Sequence, residues 1–374
     1  MIKKAGILAL VICLFLGILS PILVQAQSGL TISDSSVQAE FPSSLSFNLS
    51  AQSDVDITDI RLGYTVDRVG FAQITSEVYI EFVPATTIDV EWAWDMRKTG
   101  GLPPGAGVDY WWIVEDASGR RIETAPSRIH FDDNRYAWRS LTEGEVTIYW
   151  YQEDDSFARE IILSAQQALV QLAGDTGAEF EKPAMLYIYA DAQDLQGAMI
   201  YPQEWTGGVA FTRYGIIAIG ISSGNLSWGK RAIAHELTHL VIHQMTLNPY
   251  NDLPTWLDEG LATNTEGVLR LEYIAYLNKA MDEEGLISVR SLSSPFSAYA
   301  EQSILSYAQS YSLVDFLISN YGQAKMLELL LAFRQGSSYD GALEKVYGFD
   351  MDGLNTLWQD YVTDTESWTW RQDR

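Results

Sequence analysis

Cysteine is almost absent from this chain, and its single copy, Cys13, lies in an N-terminal apolar run. If that run is removed, the remaining chain can form no disulfide bond and offers no thiolate to a metal. A folded exported protein of this kind depends on its hydrophobic cores for stability. Histidine is also scarce, with 4 residues. The 47% hydrophobic composition supplies material for cores and excludes a disordered or collagen-like chain.

Basic residues are few compared with acidic ones: 24 Lys and Arg face 49 Asp and Glu, for a formal net charge of -25. A surface of this sign repels nucleic acid and anionic lipid, so we expect no nucleic-acid partner. We interpret the acidity as the solvated surface of an extracellular protein.

The first 26 residues have the pattern of a signal peptide. Lys3 and Lys4 precede an apolar run over residues 5–19, and small residues at Val24 and Ala26 suit cleavage after Ala26. This predicts a secreted or cell-surface, bacterial protein. The alternative is an uncleaved segment that attaches the protein to the membrane or cell surface, although the run is short for a transmembrane helix.

Residues 29–134 are predicted to form an all-β domain. Short apolar or alternating segments are separated by turn-rich stretches such as residues 100–105. Six or seven strands at this spacing over about 100 residues are typical of an immunoglobulin-like or fibronectin-like sandwich. The predicted strands are residues 45–49, 57–64, 78–82, 87–94, 109–114 and 128–131.

Residues 135–374 are predicted to form a second, α+β domain, after a polar junction at residues 132–138. Asp155 or Ser156 is expected to cap a first helix. The predicted strands are residues 146–151 and 185–189, with a hairpin formed by 209–211 and 216–221. The helices predicted from residue 228 onward are 228–246, 254–266, 268–284, 302–321, 323–335, 338–347 and 351–363.

The segment AHELTH, residues 234–239, carries the most specific chemistry. On a helix, His235 and His239 lie one turn apart on the same face, about 5–6 Å between Cβ atoms, so that both imidazoles can reach one metal ion. Glu236 points beside them and can take a proton from water. The spacing predicts a zinc site with Glu236 as the general base.

A second segment, PTWLDEGLA at residues 254–262, makes the pattern more specific. His-Glu-x-x-His followed by Trp-Leu-x-Glu-Gly resembles the gluzincin peptidases, which include the aminopeptidase N and thermolysin families, and above all the bacterial peptidase-MA-like family. The resemblance implies that Glu259 is the third ligand of one Zn²⁺ per chain. It also implies that residues 135–374 form a thermolysin-like catalytic domain with a helical C-terminal lobe.

A third match concerns residues 307–317, which resemble the helix that begins Tyr-Glu-Lys-Gly in the aminopeptidase N family. The resemblance implies that Tyr307 stabilises the oxyanion of the reaction, with Tyr311, one turn further on, as the alternative. Glu266 lies on the same helical face as Glu259, where it either orients His235 or is a solvated carboxylate. His243 is at the wrong offset for the third histidine of a metzincin, and we predict a surface or core residue.

One departure from the aminopeptidases affects the expected specificity. Their Gly-x-Met-Glu-Asn strand uses a glutamate to bind the substrate's free amino group, whereas residues 207–211 here read GGVAF. The strand can still pair with an extended peptide, so we predict a secreted zinc endopeptidase acting on peptides or proteins. The alternatives are a cell-surface binding protein with a structural or vestigial zinc site, and hydrolysis of a non-peptide bond.

Overall fold

The computed structural model describes residues 29–203, 206–297 and 299–363. The predicted signal peptide, residues 1–26, lies outside them. Within the described ranges, no helix combines the length and apolarity that crossing a membrane requires. The protein has an N-terminal β-sheet domain and a C-terminal region in which helices predominate.

Seven strands make up the N-terminal domain, as one hydrogen-bonded sheet in which the long strand β2 takes part in both halves. They are β1 (Thr31–Glu40), β2 (Ser44–Val66), β3 (Thr75–Tyr79), β4 (Ala85–Asp95), β5 (Ala106–Asp116), β6 (Arg121–Glu123) and β7 (Ser127–Phe131). The first half of β2 pairs with β1 and β4, and its second half with β3 and β5. The all-β character is confirmed, and the immunoglobulin-like or fibronectin-like topology remains a prediction.

The sequence predicted two strands, residues 45–49 and 57–64, where the structure has the single 23-residue β2. The polar stretch at residues 53–56 is typical of a turn, and for this reason the pattern divides there. In the structure, the register with β4 shifts between Gln52 and Ile57, and the strand continues through this irregularity. A bulge absorbs extra residues without ending a strand.

A second sheet of five strands follows, with the order β11-β12-β10-β9-β8. Its strands are β8 (Arg139–Glu143), β9 (Val146–Trp150), β10 (Ala184–Tyr189), β11 (Gly208–Phe211) and β12 (Ile216–Gly220). The three central strands are parallel, whereas β11 pairs antiparallel with β12 at one edge. The predicted hairpin is thus present, and β11 has a free edge within the described part of the chain.

Ten helices are described, seven of which match the helices predicted from residue 228 onward. They are α1 (Asp155–Thr176), α2 (Ala192–Gln196), α3 (Leu226–Thr246), α4 (Thr255–Thr265), α5 (Leu271–Asp282), α6 (Val289–Leu292), α7 (Ala300–Tyr321), α8 (Gln323–Arg334), α9 (Tyr339–Tyr347) and α10 (Met351–Thr363). The short α2 and α6 were not predicted. The cap of α1 is Asp154, whose side chain accepts the backbone N–H of Ser156 and Phe157, and not Asp155 or Ser156.

The two faces of the second sheet bury different partners, because successive side chains of a strand point to opposite sides. Leu186 and Ile188 of β10 pack in one core with apolar residues of α1 and α3. Tyr187 and Tyr189 pack in another core with the N-terminal sheet. The predicted junction lies between β7 and β8, where buried Asp133 accepts a hydrogen bond from the Tyr189 hydroxyl at 2.9 Å.

Candidate metal centre

Helix α3 presents His235 and His239 because its other face is apolar. Ile233, Leu237 and Leu240 are buried against the second sheet. His235 and His239, four positions apart, therefore face helices α4–α10, residues 255–363, which we call the helical lobe. The two imidazole rings are 4.8 Å apart between centroids.

Helix α4 carries Asp258 and Glu259 and is held against α7 by a close contact at Gly260. A Cβ atom at Gly260 would lie 2.4 Å from the carbonyl oxygen of Ser310, so any side chain at this position would clash with the backbone of α7. Buried Trp256 and Leu257 fix the same helix in the core of the lobe. The glycine after Glu259 thus permits the packing that directs this carboxylate toward α3.

Three donor atoms from the two helices meet at one point. His235 Nε2 lies 3.1 Å from His239 Nε2, and Glu259 Oε2 lies 3.3 Å from the first nitrogen and 3.5 Å from the second. Glu259 Oε2 is buried and accepts no hydrogen bond of ordinary geometry.

The Nδ1 atom of each ring donates a hydrogen bond, so the lone pair of the neutral ring is on Nε2. His235 Nδ1 donates to Glu266 Oε1 and His239 Nδ1 donates to Asp258 Oδ1, both at 2.9 Å. With both Nδ1 protons committed, each neutral ring directs its Nε2 lone pair into the same space. Two lone pairs and a carboxylate oxygen at this distance repel one another unless a positive charge lies between them.

The distances fit a tetrahedral zinc ion. With bond lengths of about 2.0–2.2 Å, two ligand atoms of such an ion are about 3.3–3.6 Å apart, close to the 3.1, 3.3 and 3.5 Å found here. Two imidazoles and one carboxylate form a ligand set that leaves the fourth position open, as catalytic zinc requires. Glu266 and Asp258, which accept the Nδ1–H hydrogen bonds, are outer carboxylates of the kind that commonly orient metal-bound histidines.

The electrostatics of the cluster also favour a cation. Burial opposes a charge on His235, yet the carboxylates of Glu259 and Glu266 raise its pKa to about 9. The pKa of His239 likewise lies well above its ordinary value, because Asp258 and Glu259 outweigh burial. Although burial favours the neutral acid, the two imidazoles lower the pKa of Glu259 to about 2. The site therefore attracts either a proton or a metal ion.

Asp258 connects a third histidine to the centre. Its Oδ2 accepts a hydrogen bond from His243 Nε2 at 2.9 Å, while its Oδ1 holds His239. Although burial favours protonation, the two histidines hold the pKa of Asp258 well below its usual range. The sequence predicted a helix-surface or core residue at His243, and the structure adds that this partly exposed residue belongs to the hydrogen-bond chain behind His239.

Tyr307 of α7 lies on one side of the donor triad. Its ring centroid is 6.4 Å from that of His235, and it packs edge-on against Phe296. Burial, together with the nearby charges of Glu259 and Glu236, raises the pKa of Tyr307, so the hydroxyl keeps its proton at neutral pH. The residue lines a pocket with Glu259, Thr255 and Phe296. Tyr311 packs against the core of the helical lobe.

Glu236 lies on the other side, beneath β11. A Cβ atom at Gly208 would be 3.2 Å from Glu236 Oε1, and one at Gly207 would be 2.9 Å from the Trp228 ring. The two glycines therefore let the edge strand approach the base and the indole closely. Glu236, His235 and Glu266 line a second, smaller pocket here.

A comparison with families of known proteins decides the assignment. Residues 164–364, more than half of the chain, match the sequence model of the peptidase MA superfamily. The chain belongs to the peptidase MA superfamily. The matched range contains both helices of the donor triad and Tyr307, so the resemblance to the gluzincin metallopeptidases is confirmed.

The solved structures to which this chain is similar include two M1 zinc metallopeptidases and OgpA. An M1 zinc metallopeptidase from Deinococcus radiodurans is 13% identical, with 89% of this chain and 94% of that chain covered and a TM-score of 0.32. A mutant two-domain M1 zinc metallopeptidase bound to L-arginine is 12% identical, with 88% and 94% covered and a TM-score of 0.37. OgpA from Akkermansia muciniphila is 7% identical at a TM-score of 0.22, and the match spans 29% of this chain and 28% of that chain. No curated protein sequence matches.

The structure brings together four of the residues that the sequence singles out, and it shows contacts of two further residues that the sequence does not predict. His235, Glu236, His239 and Glu259 lie together as expected, with Glu266 at His235. Asp258 was not singled out, and the hydrogen bond of His243 to it was not predicted. Their signals were present in the sequence: Asp258 precedes the third donor, and His243 follows His239 by one helical turn.

Proposed function

We propose that the protein is a zinc-dependent endopeptidase in which His235, His239 and Glu259 hold one Zn²⁺ per chain. The observation that carries the proposal is the convergence of three donor atoms within 3.1–3.5 Å, each ring fixed by a carboxylate on its far nitrogen. A zinc ion there supplies Lewis acidity and makes water a nucleophile at neutral pH.

Glu236 takes the proton of the attacking water and passes it to the leaving amine. The side chain follows His235 on the same helix and lies outside the donor triad, where a carboxylate serves as general base and then as general acid. The absence of a side chain at Gly208 leaves room for this carboxylate beneath the strand, because a Cβ atom there would lie 3.2 Å from its Oε1. The base therefore lies next to the strand along which the substrate is proposed to bind.

The substrate is bound as an extended strand along β11. Only β12 pairs with β11 among the described residues, so the outer N–H and C=O groups of β11 are available to a peptide. Main-chain pairing of this kind accepts many sequences. Proteins or peptides are therefore the proposed substrates.

The composition of that strand supports the proposal of internal cleavage. GGVAF at residues 207–211 offers no carboxylate to a substrate's amino terminus. We expect a peptide and its N-acetylated form to be cleaved at similar rates and at the same internal bond, as measured by mass spectrometry of timed digests. Loss of cleavage on acetylation would identify an aminopeptidase instead.

Removal of the Tyr307 hydroxyl is expected to slow turnover. The tetrahedral transition state places negative charge on the former carbonyl oxygen, and a buried phenol donor stabilises that charge more than the ground state. Tyr307→Phe should lower kcat by about 10²–10³ with little change in KM, since one such donor contributes this much. Steady-state kinetics with unchanged zinc content and Tm would establish the role.

Tyr311→Phe is the matched control, because it removes the same atom one helical turn away. Its effect should be mild, since Tyr311 packs in the helical lobe. If the Tyr311 variant is slow and the Tyr307 variant is not, then the donor is Tyr311.

Zinc binding should strengthen as pH rises, because the raised pKa of His235 makes a proton compete with the metal. Its pKa of about 9 means that the metal-free chain carries a proton at neutral pH, which zinc must displace. Falling pH favours the protonated, metal-free form, so the apparent Kd for zinc should fall as pH rises toward 9, by about tenfold per pH unit for each imidazole proton displaced. Calorimetric titrations in buffers with different ionisation enthalpies should detect about one to two released protons per chain at pH 7, because the pKa of His239 is raised as well. Binding without proton release would contradict the proposed donors.

Secretion is part of the same proposal and is supported by the pattern of residues 1–26. An export signal, a strongly acidic chain and the absence of cysteine after residue 13 suit a bacterial extracellular enzyme. N-terminal sequencing of the protein from culture medium should begin at Gln27.

A further inference from the structure

The small pocket on the Glu236 side of the triad has an unusual charge pattern. Arg231 and Arg270 both line it, beside Gly207, Gly208 and Trp228. Within the described ranges, neither guanidinium lies within ion-pair distance of a carboxylate, although the chain has 49 acidic residues and 24 basic ones.

Other arginines of the protein show the common behaviour. Arg120 pairs with Asp116, Arg135 with Asp133, and Arg290 with Asp340. Arg68 and Arg213 form no ion pair in the described part of the chain, but they share a distant pocket with Asp67 and Asp109. Arg231 and Arg270 therefore differ from these arginines, because they form no ion pair and they line a pocket beside the donor triad.

The carboxylates in this pocket already have other tasks. Glu266 accepts the hydrogen bond of His235, and Glu236 is the proposed base. Neither is available to neutralise an arginine without loss of its own function. The two guanidinium groups consequently keep their donors for a ligand, and an arginine offers a planar set that suits a carboxylate.

Partial burial or a ring contact restricts each arginine in the absence of an ion pair. Arg231 is half-buried on α3, one helical turn before His235. Arg270 is exposed, and its guanidinium carbon lies 3.9 Å from the centroid of the Tyr273 ring, a cation–π contact. A donor that is already restricted loses less conformational entropy when it binds.

From these contacts we infer that the pocket of Arg231 and Arg270 binds a carboxylate of the substrate beside the scissile bond. The inference rests on the proposed peptidase function and specifies its substrate class. The pocket volume of about 190 Å³ suits one side chain or chain end, since whole small-molecule ligands occupy about 300–1,000 Å³. The carboxylate belongs either to an Asp or Glu side chain or to the substrate's C-terminus.

The test uses the full zinc-loaded chain and three N-acetylated peptides that share one cleaved bond, found first in a peptide-library digest. The first carries Glu beside that bond and a C-terminal amide, and the second carries Gln in its place. The third carries Gln and ends one residue after the bond in a free carboxylate. We expect kcat/KM for the Glu peptide or for the free-carboxylate peptide to exceed that of the Gln amide about tenfold or more. The peptide that gains identifies the source of the carboxylate.

Arg231→Gln and Arg270→Gln should each lower this ratio toward one. Arg159→Gln is the matched control, because Arg159 also has no ion pair among the described residues but lines a pocket with Trp138 and Trp150 away from the site. Its ratio should equal that of the wild type, which excludes a general effect of charge. A wild-type ratio at or below one, or a ratio that both pocket variants leave unchanged, overturns the inference.

A binding measurement separates this inference from the peptidase proposal. Peptide affinity is compared in the zinc-loaded Glu236→Gln background, with and without Arg231→Gln, by fluorescence anisotropy of labelled peptides. Preferential binding of the carboxylate peptide without hydrolysis by the wild type would retain the pocket and refute the peptidase. Hydrolysis of all three peptides at equal rates would support the peptidase proposal and refute the carboxylate pocket.

Discussion

Replacement of Glu236 by Gln is expected to reduce peptide hydrolysis by about 10²–10⁴ while zinc content and Tm stay at wild-type values. The side chain lies outside the donor triad, so the amide removes a base without removing a metal ligand. The amide also has nearly the same shape, and it fits against the strand at Gly208. The measurements are kcat with a peptide substrate and the metal content of the same sample.

Glu236→Asp is the informative companion variant. It keeps the carboxylate but shortens its reach by one methylene, so activity should lie between that of the wild type and that of the Gln variant. Near-native turnover by Glu236→Gln would refute the proposed mechanism, because the proton of the attacking water would then be removed by another group.

Replacement of Glu259 by Ala should abolish both zinc binding and hydrolysis. Two imidazoles alone leave the ion with an incomplete set of ligands, and the loss of one negative charge weakens the attraction of the site for a cation. We expect zinc to be lost on dialysis and activity to fall to background, measured by atomic absorption and a peptide assay. His239→Ala should behave in the same way.

Glu272→Ala is the control for charge, because Glu272 is an exposed acid on the neighbouring helix α5. It should keep both zinc and activity. A Glu259→Ala chain that retains stoichiometric zinc at wild-type affinity would show that the third ligand is another residue.

The inner part of the site could be predicted from sequence because helix geometry is local. The i, i+4 spacing of His235 and His239 fixes their relative position once the segment is helical. Glu259 was found through the second motif, whose glycine has a physical reason in the contact between Gly260 and Ser310. No spacing rule connects His243 to Asp258, because their contact depends on how α3 and α4 pack. Sequence spacing likewise does not predict that Arg231 of α3 and Arg270, the residue before α5, line the same pocket.

The fold could be predicted where the periodicity of the apolar residues was strong and uninterrupted. Seven long helices and the β11–β12 hairpin follow their patterns closely. The pattern divided β2 at its polar bulge, and it missed β1, β6 and β8, whose residues are half-buried or exposed. A strand of that kind is held by the main-chain pairing of its neighbours, which sequence periodicity does not report.

The metal-ligand atoms are divided between two helices, and this division affects the stability of the protein. Helix α3 supplies the nitrogen ligands and α4 supplies Glu259 and Asp258, so a bound metal is a removable cross-link in a chain with no cysteine after residue 13. A ligand at 100-fold excess over its Kd stabilises the native state by about 2.7 kcal/mol. We expect chelation to remove that stabilisation together with the proposed activity. Metal-depleted molecules would then unfold more readily and be more easily proteolysed, so the supply of zinc would set the amount of the proposed enzyme as well as its rate.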